Sequence, residues 1–218
     1  MTFLIVFACT VVAVFLMKPA IKKAPAAWYV AATVLMALYV SGLQGWLPLP
    51  VPVRSTLFLL LQKGFLAVAL FAVVMFIGAF PRDGRPRKHL MAIRAELSII
   101  AWILSLGHMA VYLASYLPRM AAGGPMHDNV TVAFVLAIVL FVLLLVLGVT
   151  SFNMVKKRMK TESWKRLQRL SYVFFALVYA HLLLMLLPSA LHGAAAPQAN
   201  VAVYSVVFVG YFVLRLVR

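Results

Sequence analysis

The sequence predicts an all-α integral membrane protein, a bundle of six to seven transmembrane helices. Three observations carry this. Of the 218 residues, 66% are hydrophobic and only 11% are charged. The mean hydropathy is +1.06, outside the range of a soluble domain. The apolar residues fall into seven runs, and the basic residues cluster between them.

The runs are residues 3–17, 28–47, 57–80, 93–117, 130–150, 167–187 and 201–217. Most reach the ~20 residues that cross a hydrocarbon core of ~30 Å; the first and last are short. The first run has no basic region ahead of it. Lys18, Lys22 and Lys23 follow it, so a retained span is expected rather than a cleaved signal. The longest polar loop is the segment 81–92, too short for a soluble domain. Nucleotide or flavin chemistry would therefore come from another chain. The expected division is 1–25, an additional helix with a short basic loop, and 26–218, a helical bundle with its core at about 57–190.

The net charge of +16 does not point to nucleic acid, because the charge is gathered in loops and not spread over a face. Seventeen of the 20 basic residues lie on one side of the alternating spans. They follow run one, lie between runs three and four, surround the connection between runs five and six, and end the chain. Arg54 and Arg119 lie on the other side, and Lys63 lies within run three. By the positive-inside rule the N-terminus faces out and the C-terminus the cytoplasm, as in a multi-pass protein of a bacterial-type inner membrane. The single cysteine, Cys9, excludes a disulfide framework and a cysteine-built metal site within this chain.

Two histidines stand inside apolar runs. His108 follows Arg94 by 14 residues, and His181 follows Arg166 by 15. Both runs start on the cytoplasmic side, so they are parallel. At 1.5 Å per residue both imidazoles lie about 21–22 Å beyond the basic lead-in, in the outer half of the membrane. Each run then closes on a Leu-Pro step, at Leu117-Pro118 and Leu187-Pro188. Ionisable groups at this depth are costly and are functional candidates for that reason. Two imidazoles at matched depth suit the two axial positions of a haem between spans four and six. Gly107 and Ala180, beside them, are small enough for a macrocycle to approach. The bland alternative is a pair of hydrogen-bonded bundle histidines.

Tyr112, one turn beyond His108, shares its face and either hydrogen-bonds a haem propionate or packs. Lys63 either snorkels to the head groups or pairs with a propionate. His89, His127 and His192 lie in polar loops and read as solvated. His127 and His192 are also placed to touch a partner or a quinone head group.

The residues around the pair resemble a known family. The stretch Arg94-Ala95-Glu96-Leu97 through Gly107-His108-Met109-Ala110-Val111-Tyr112-Leu113 resembles the "R-x-L-G … L-H-x-x-x-Y" helix of the ferric-reductase-like transmembrane domain. Thr150-Ser151-Phe152-Asn153 resembles a "T-S-x-N" helix end of its MsrQ (YedZ) group. The stretch from Trp164 to Tyr172 resembles that group's "W-x-x-L-H-x-L-x-Y", and Ala180-His181-Leu182 falls at its second histidine. The resemblance covers about residues 57–190. It implies b-type haem held by histidines and electron transfer across or along the membrane. In the MsrQ group the electrons serve a periplasmic molybdenum enzyme that reduces oxidised methionine. Ferric reductase and NADPH oxidase relatives stack two haems.

This chain departs from that pattern at the inner level. Gln168 stands where the family has histidine, and Ala95 stands 13 residues before His108, where the second ligand would be. Gln offers no strongly basic nitrogen. One haem is therefore expected, in the outer half, and the first run is additional to a six-helix plan. The expected function is a non-catalytic electron-transfer subunit of an oxidoreductase complex. It would link a membrane donor, quinol or flavoprotein, to an extracytoplasmic redox subunit carrying flavin, molybdenum or an iron–sulfur cluster. Quinone is a second candidate ligand. The competing readings are a cofactor-free small transporter or structural anchor, and a reductase with its own outer substrate site.

Overall fold

Continuous apolar runs leave the backbone no partner but itself in a bilayer, and helix is the form that satisfies every N–H and C=O locally. The computed structural model describes residues 2–124 and 127–217. It is helical throughout, with no strand among the described residues. The elements are α1 (Thr2–Lys23), α2 (Pro25–Leu43), α3 (Val51–Leu57) continued by a π-helical turn (Phe58–Gln62), α4 (Phe65–Ala79), α5 (Arg85–Leu90), α6 (Arg94–Ala121), α7 (Asp128–Val149), α8 (Asn153–Lys156), α9 (Thr161–Gln168), α10 (Leu170–Leu191) and α11 (Ala195–Leu216). Six helices are long and apolar enough to cross a membrane. The pair 51–62 and 65–79 makes a seventh if taken as one span bent by 43°.

Three features differ from the sequence expectation. The third run is broken: the π-turn ends at Gln62, and Gly64 has φ +68° before α4 begins. Only a residue without Cβ enters that conformation at no cost, so the break is set locally by Gly64. The segment 81–92 is not simply a loop, because α5 and a 3-10 turn at Met91–Ile93 lead straight into α6. The Leu-Pro steps do not end their helices. Pro118 and Pro188 lie inside α6 and α10, which continue to Ala121 and Leu191. A proline in the last turn sacrifices one backbone bond near an end that frays anyway.

The chain divides into two compact units. The first is Ile5–Pro118. Within it α6 runs antiparallel to α4: Arg94 at the start of α6 donates Nε–H to the Val74 carbonyl, while His108 further along reaches back to Gln62. The core lies on α4, where Ala69, Ala72, Ile77 and Ala79 are buried, and on Ile93, Leu97 and Ala101. The basic end of α1 docks on α5, with Lys18 Nζ 3.4 Å from His89 Nδ1 and Phe15 stacked on the His89 ring. His89 is therefore a contact residue between helices and not simply a solvated loop residue.

The second unit is Met1–Leu4 with Arg119–Arg218. In it α10 packs on both α7 and α11. Phe175 stacks on Phe208 with centroids 4.2 Å apart and meets Tyr211 edge-on. Tyr179 and Ser205 share a hydroxyl hydrogen bond of 2.7 Å across α10 and α11. On α7, Val135, Ile138, Val142 and Val146 are exposed at helical spacing, an apolar stripe that suits lipid.

Candidate functional site

His108 sits half-buried on α6 beside the break in the third span. Its Nδ1 lies 2.6 Å from the Gln62 carbonyl oxygen. A carbonyl can only accept, so Nδ1 carries the hydrogen and donates it, and the ring lone pair resides on Nε2. The break makes this bond possible. A helix that ends at Gln62 presents a carbonyl that a continuous helix would direct along its own axis. Gly64 belongs to the same device: a Cβ there would stand 3.7 Å from His108 Nδ1, in the space next to the ring.

His181 repeats the arrangement within the other unit. It is half-buried on α10, and its Nδ1 lies 3.1 Å from the Ala133 carbonyl on α7. The same reasoning places its proton on Nδ1 and its lone pair on Nε2. One turn away Asn129 Nδ2 donates to the Leu184 carbonyl at 3.2 Å, a second bond that fixes α7 against α10. Both imidazoles thus have the tautomer and the main-chain support that metal-bound histidines use. Each imidazole on its own offers one neutral nitrogen of the kind that can ligate a haem iron. Among the described residues, no three His, Cys, Asp or Glu side chains come together.

Tyr112 stays with His108: their ring centroids are 4.8 Å apart, and Tyr116 stacks beyond at 5.9 Å. Gln62 engages His108 through its backbone carbonyl. Lys63 is exposed at the break, with Nζ 5.8 Å from the Phe58 ring centroid, a cation–π contact. Gly107 does not open space for a macrocycle. It is buried, and a Cβ on it would meet the Met36 side chain and Tyr39 of α2. Its small size serves helix packing. His127 and His192 are exposed, just before α7 and just after α10.

Gln168 has a defined structural role. Its Nε2 donates to Thr150 Oγ1 at 3.0 Å, while Trp164 Nε1 donates to the Thr150 carbonyl at 2.9 Å. Thr150 is buried and turns its own hydroxyl proton to the Val146 carbonyl. The end of α7 and the approach to α10 are tied together here, and Lys156 covers the Trp164 ring at 4.4 Å. Gln168→Ala is expected to cost about 1 kcal/mol, the worth of one partly buried hydrogen bond, read as a lower unfolding midpoint in detergent.

Sequence reasoning missed Gln62, Asn129 and Ala133. Gln62 and Asn129 are polar residues beside apolar runs, which is a signal. Ala133 acts only through its backbone and leaves none.

Comparison with known proteins bears on the chain's family. The family described as "Ferric reductase like transmembrane component" matches residues 63–179. An uncharacterized protein of Treponema pallidum (strain Nichols) is 38% identical over 157 residues, which is 72% of this chain. The match covers 43% of that relative's length, so the chain spans less than half of it. No solved structure matches. The matched segment covers more than half of the chain and contains His108, Gln168 and the Thr150 station; the chain belongs to the ferric reductase-like transmembrane family.

Proposed function

We propose that this family member is a single-haem electron-transfer subunit of the MsrQ type, in which His108 and His181 would hold one haem b. One observation carries the reading: each histidine gives its Nδ1 proton to a main-chain carbonyl and so keeps its lone pair on Nε2. The carbonyl holds the ring's direction and raises the basicity of the opposite nitrogen. A bound haem supplies a reversible one-electron carrier. Held by two imidazoles, the group would serve electron transfer rather than oxygen chemistry. Tyr112 and Lys63 are the residues we assign to the propionates. By the distribution of basic residues the chain sits in a cytoplasmic membrane with its N-terminus outside and the haem in the outer leaflet. It would take electrons from a quinol or a flavoprotein and deliver them to an extracytoplasmic redox partner.

The direct test is an optical spectrum of the purified chain, air-oxidised and then dithionite-reduced. The expected result is a b-type spectrum with one haem per chain by pyridine haemochrome. A colourless protein after haem-supplemented expression ends the proposal, and two haems per chain end the single-site claim. Lys63→Met is expected to keep haem and lower its midpoint potential by up to about 40 mV, since a cation near a propionate favours the reduced state. An unchanged potential would leave Lys63 as an interfacial residue only.

A further inference from the structure

An apolar cleft of about 660 Å³ lies within the unit Ile5–Pro118. One wall is α1, from Ile5 to Ile21, and the facing walls come from α2, Leu60, α4 and α6. At 1.5 Å per residue the α1 wall is about 24 Å long, most of a hydrocarbon core of about 30 Å. The volume suits a sizeable organic ligand. The wall asks little of a polar group: Thr10, which lines it, already gives its hydroxyl proton to the Val6 carbonyl. An occupant must therefore be hydrocarbon along most of its length.

The two ends of the cleft differ in charge. Ile21 and Trp28 both line it, and the chain between them, where α1 hands over to α2, carries exposed Lys22 and Lys23. Lys18 lies one turn earlier, against His89 of the docked α5. Residues 18–23 and 82–94 together carry eight basic side chains against Asp83 and Glu96. Away from that end, residues 5–17 of α1 and 28–43 of α2 carry no charge at all. Trp28 stands at the charged end, where an amphipathic ring suits the membrane interface. Hydrocarbon by itself gives an occupant no preference for the cleft, since lipid tails are as apolar as its wall. The cations therefore decide, and clustered lysines beside a slot between membrane helices complement a phosphate head group.

We propose that this cleft binds one anionic phospholipid, with an acyl chain between α1 and α6 and its phosphate at Lys22 and Lys23. The lipid would serve as the packing partner of α1, which is mostly exposed along its length. A zwitterionic lipid enters the same slot but carries no net charge for the lysines to select. The proposal does not depend on the haem reading, and its test needs no haem.

The test uses the full chain in phosphatidylcholine nanodiscs, titrated with phosphatidylglycerol whose acyl chains carry bromine, a contact quencher of indole fluorescence. Wild type is expected to lose a saturable part of its fluorescence at low phosphatidylglycerol content, and Trp28→Phe should lack that part. Brominated phosphatidylcholine should quench only in proportion to its content. The double variant Lys22→Gln, Lys23→Gln should raise the half-quenching content about 25-fold, at about fivefold per lysine near a charged surface. Ala31→Phe fills the cleft and should remove the saturable part with helicity unchanged by circular dichroism. The lysine variant changes exposed residues only, so it keeps the test decisive if Ala31→Phe fails to fold. Quenching that is equal for the two head groups, or unchanged in the lysine variant, overturns the site and leaves ordinary surrounding lipid. Oxidative cross-linking of wild type into dimers through Cys9, which lines the cleft, also overturns it by assigning the cleft to a second copy of the chain.

Discussion

His108→Ala and His181→Ala are each expected to remove the haem spectrum, with affinity falling by at least about 100-fold. Perturbing the groups that only orient a metal-bound histidine costs about 10–100-fold, and deleting the ligand itself must exceed that. The substitutions should not unfold the chain. Both histidines are only half-buried, and alanine is the best helix former in their place. Helicity by circular dichroism should therefore match wild type while the spectrum is lost. Added imidazole distinguishes ligation from packing. It can enter the vacated volume and restore a low-spin spectrum in the alanine variants, which a merely structural histidine would not allow. A b-type spectrum that persists in both variants would refute the ligand assignment. Gln168→Ala serves as the control at the other level, with haem retained.

The sequence shows much of the architecture and only part of the site. Six of the spans are legible because hydrocarbon solvent demands long apolar runs, and those runs are explicit. The third span is legible as a run but not as a broken helix. Gln62-Lys63-Gly64 carries the signal, a polar pair followed by glycine inside an apolar stretch, yet glycine is common in membrane helices without a break. Pro118 and Pro188 mislead in the opposite sense, since a proline near a helix end does not fix that end. His108 and His181 are visible because they are costly where they stand. Their supporting carbonyls are not visible, as Gln62 and Ala133 lie 46 and 48 residues away and act through backbone. Gln168 is legible as a departure from the family pattern, but its bond to Thr150 requires the fold.

Gly64→Val should impair haem retention without touching a ligand. Gly64 sits at φ +68°, where a side chain costs about 1–2 kcal/mol and a β-branched one more. Space alone does not forbid alanine: a Cβ would stand 3.7 and 3.9 Å from His108 Nδ1 and Cε1, which is ordinary contact. Gly64→Ala therefore pays only the backbone term and should keep its haem with a modest loss of thermal stability. Valine adds methyl groups towards the imidazole and a stronger aversion to the left-handed conformation. The chain can respond in two ways. If the break holds, the side chain presses on the His108 ring. If Gly64→Val relaxes to right-handed backbone, α3 and α4 approach one continuous helix, and the Gln62 carbonyl turns to the Leu66 N–H. His108 then loses its acceptor, its tautomer is no longer specified, and Nε2 no longer has a fixed direction. Either response should weaken haem binding about 10–100-fold, the usual effect of losing the group that orients a ligating histidine. The measurement is haem retention against apomyoglobin as acceptor, run on wild type and both variants, with circular dichroism to confirm helix content. Equal retention in all three would show that the break at Gly64 does not orient His108.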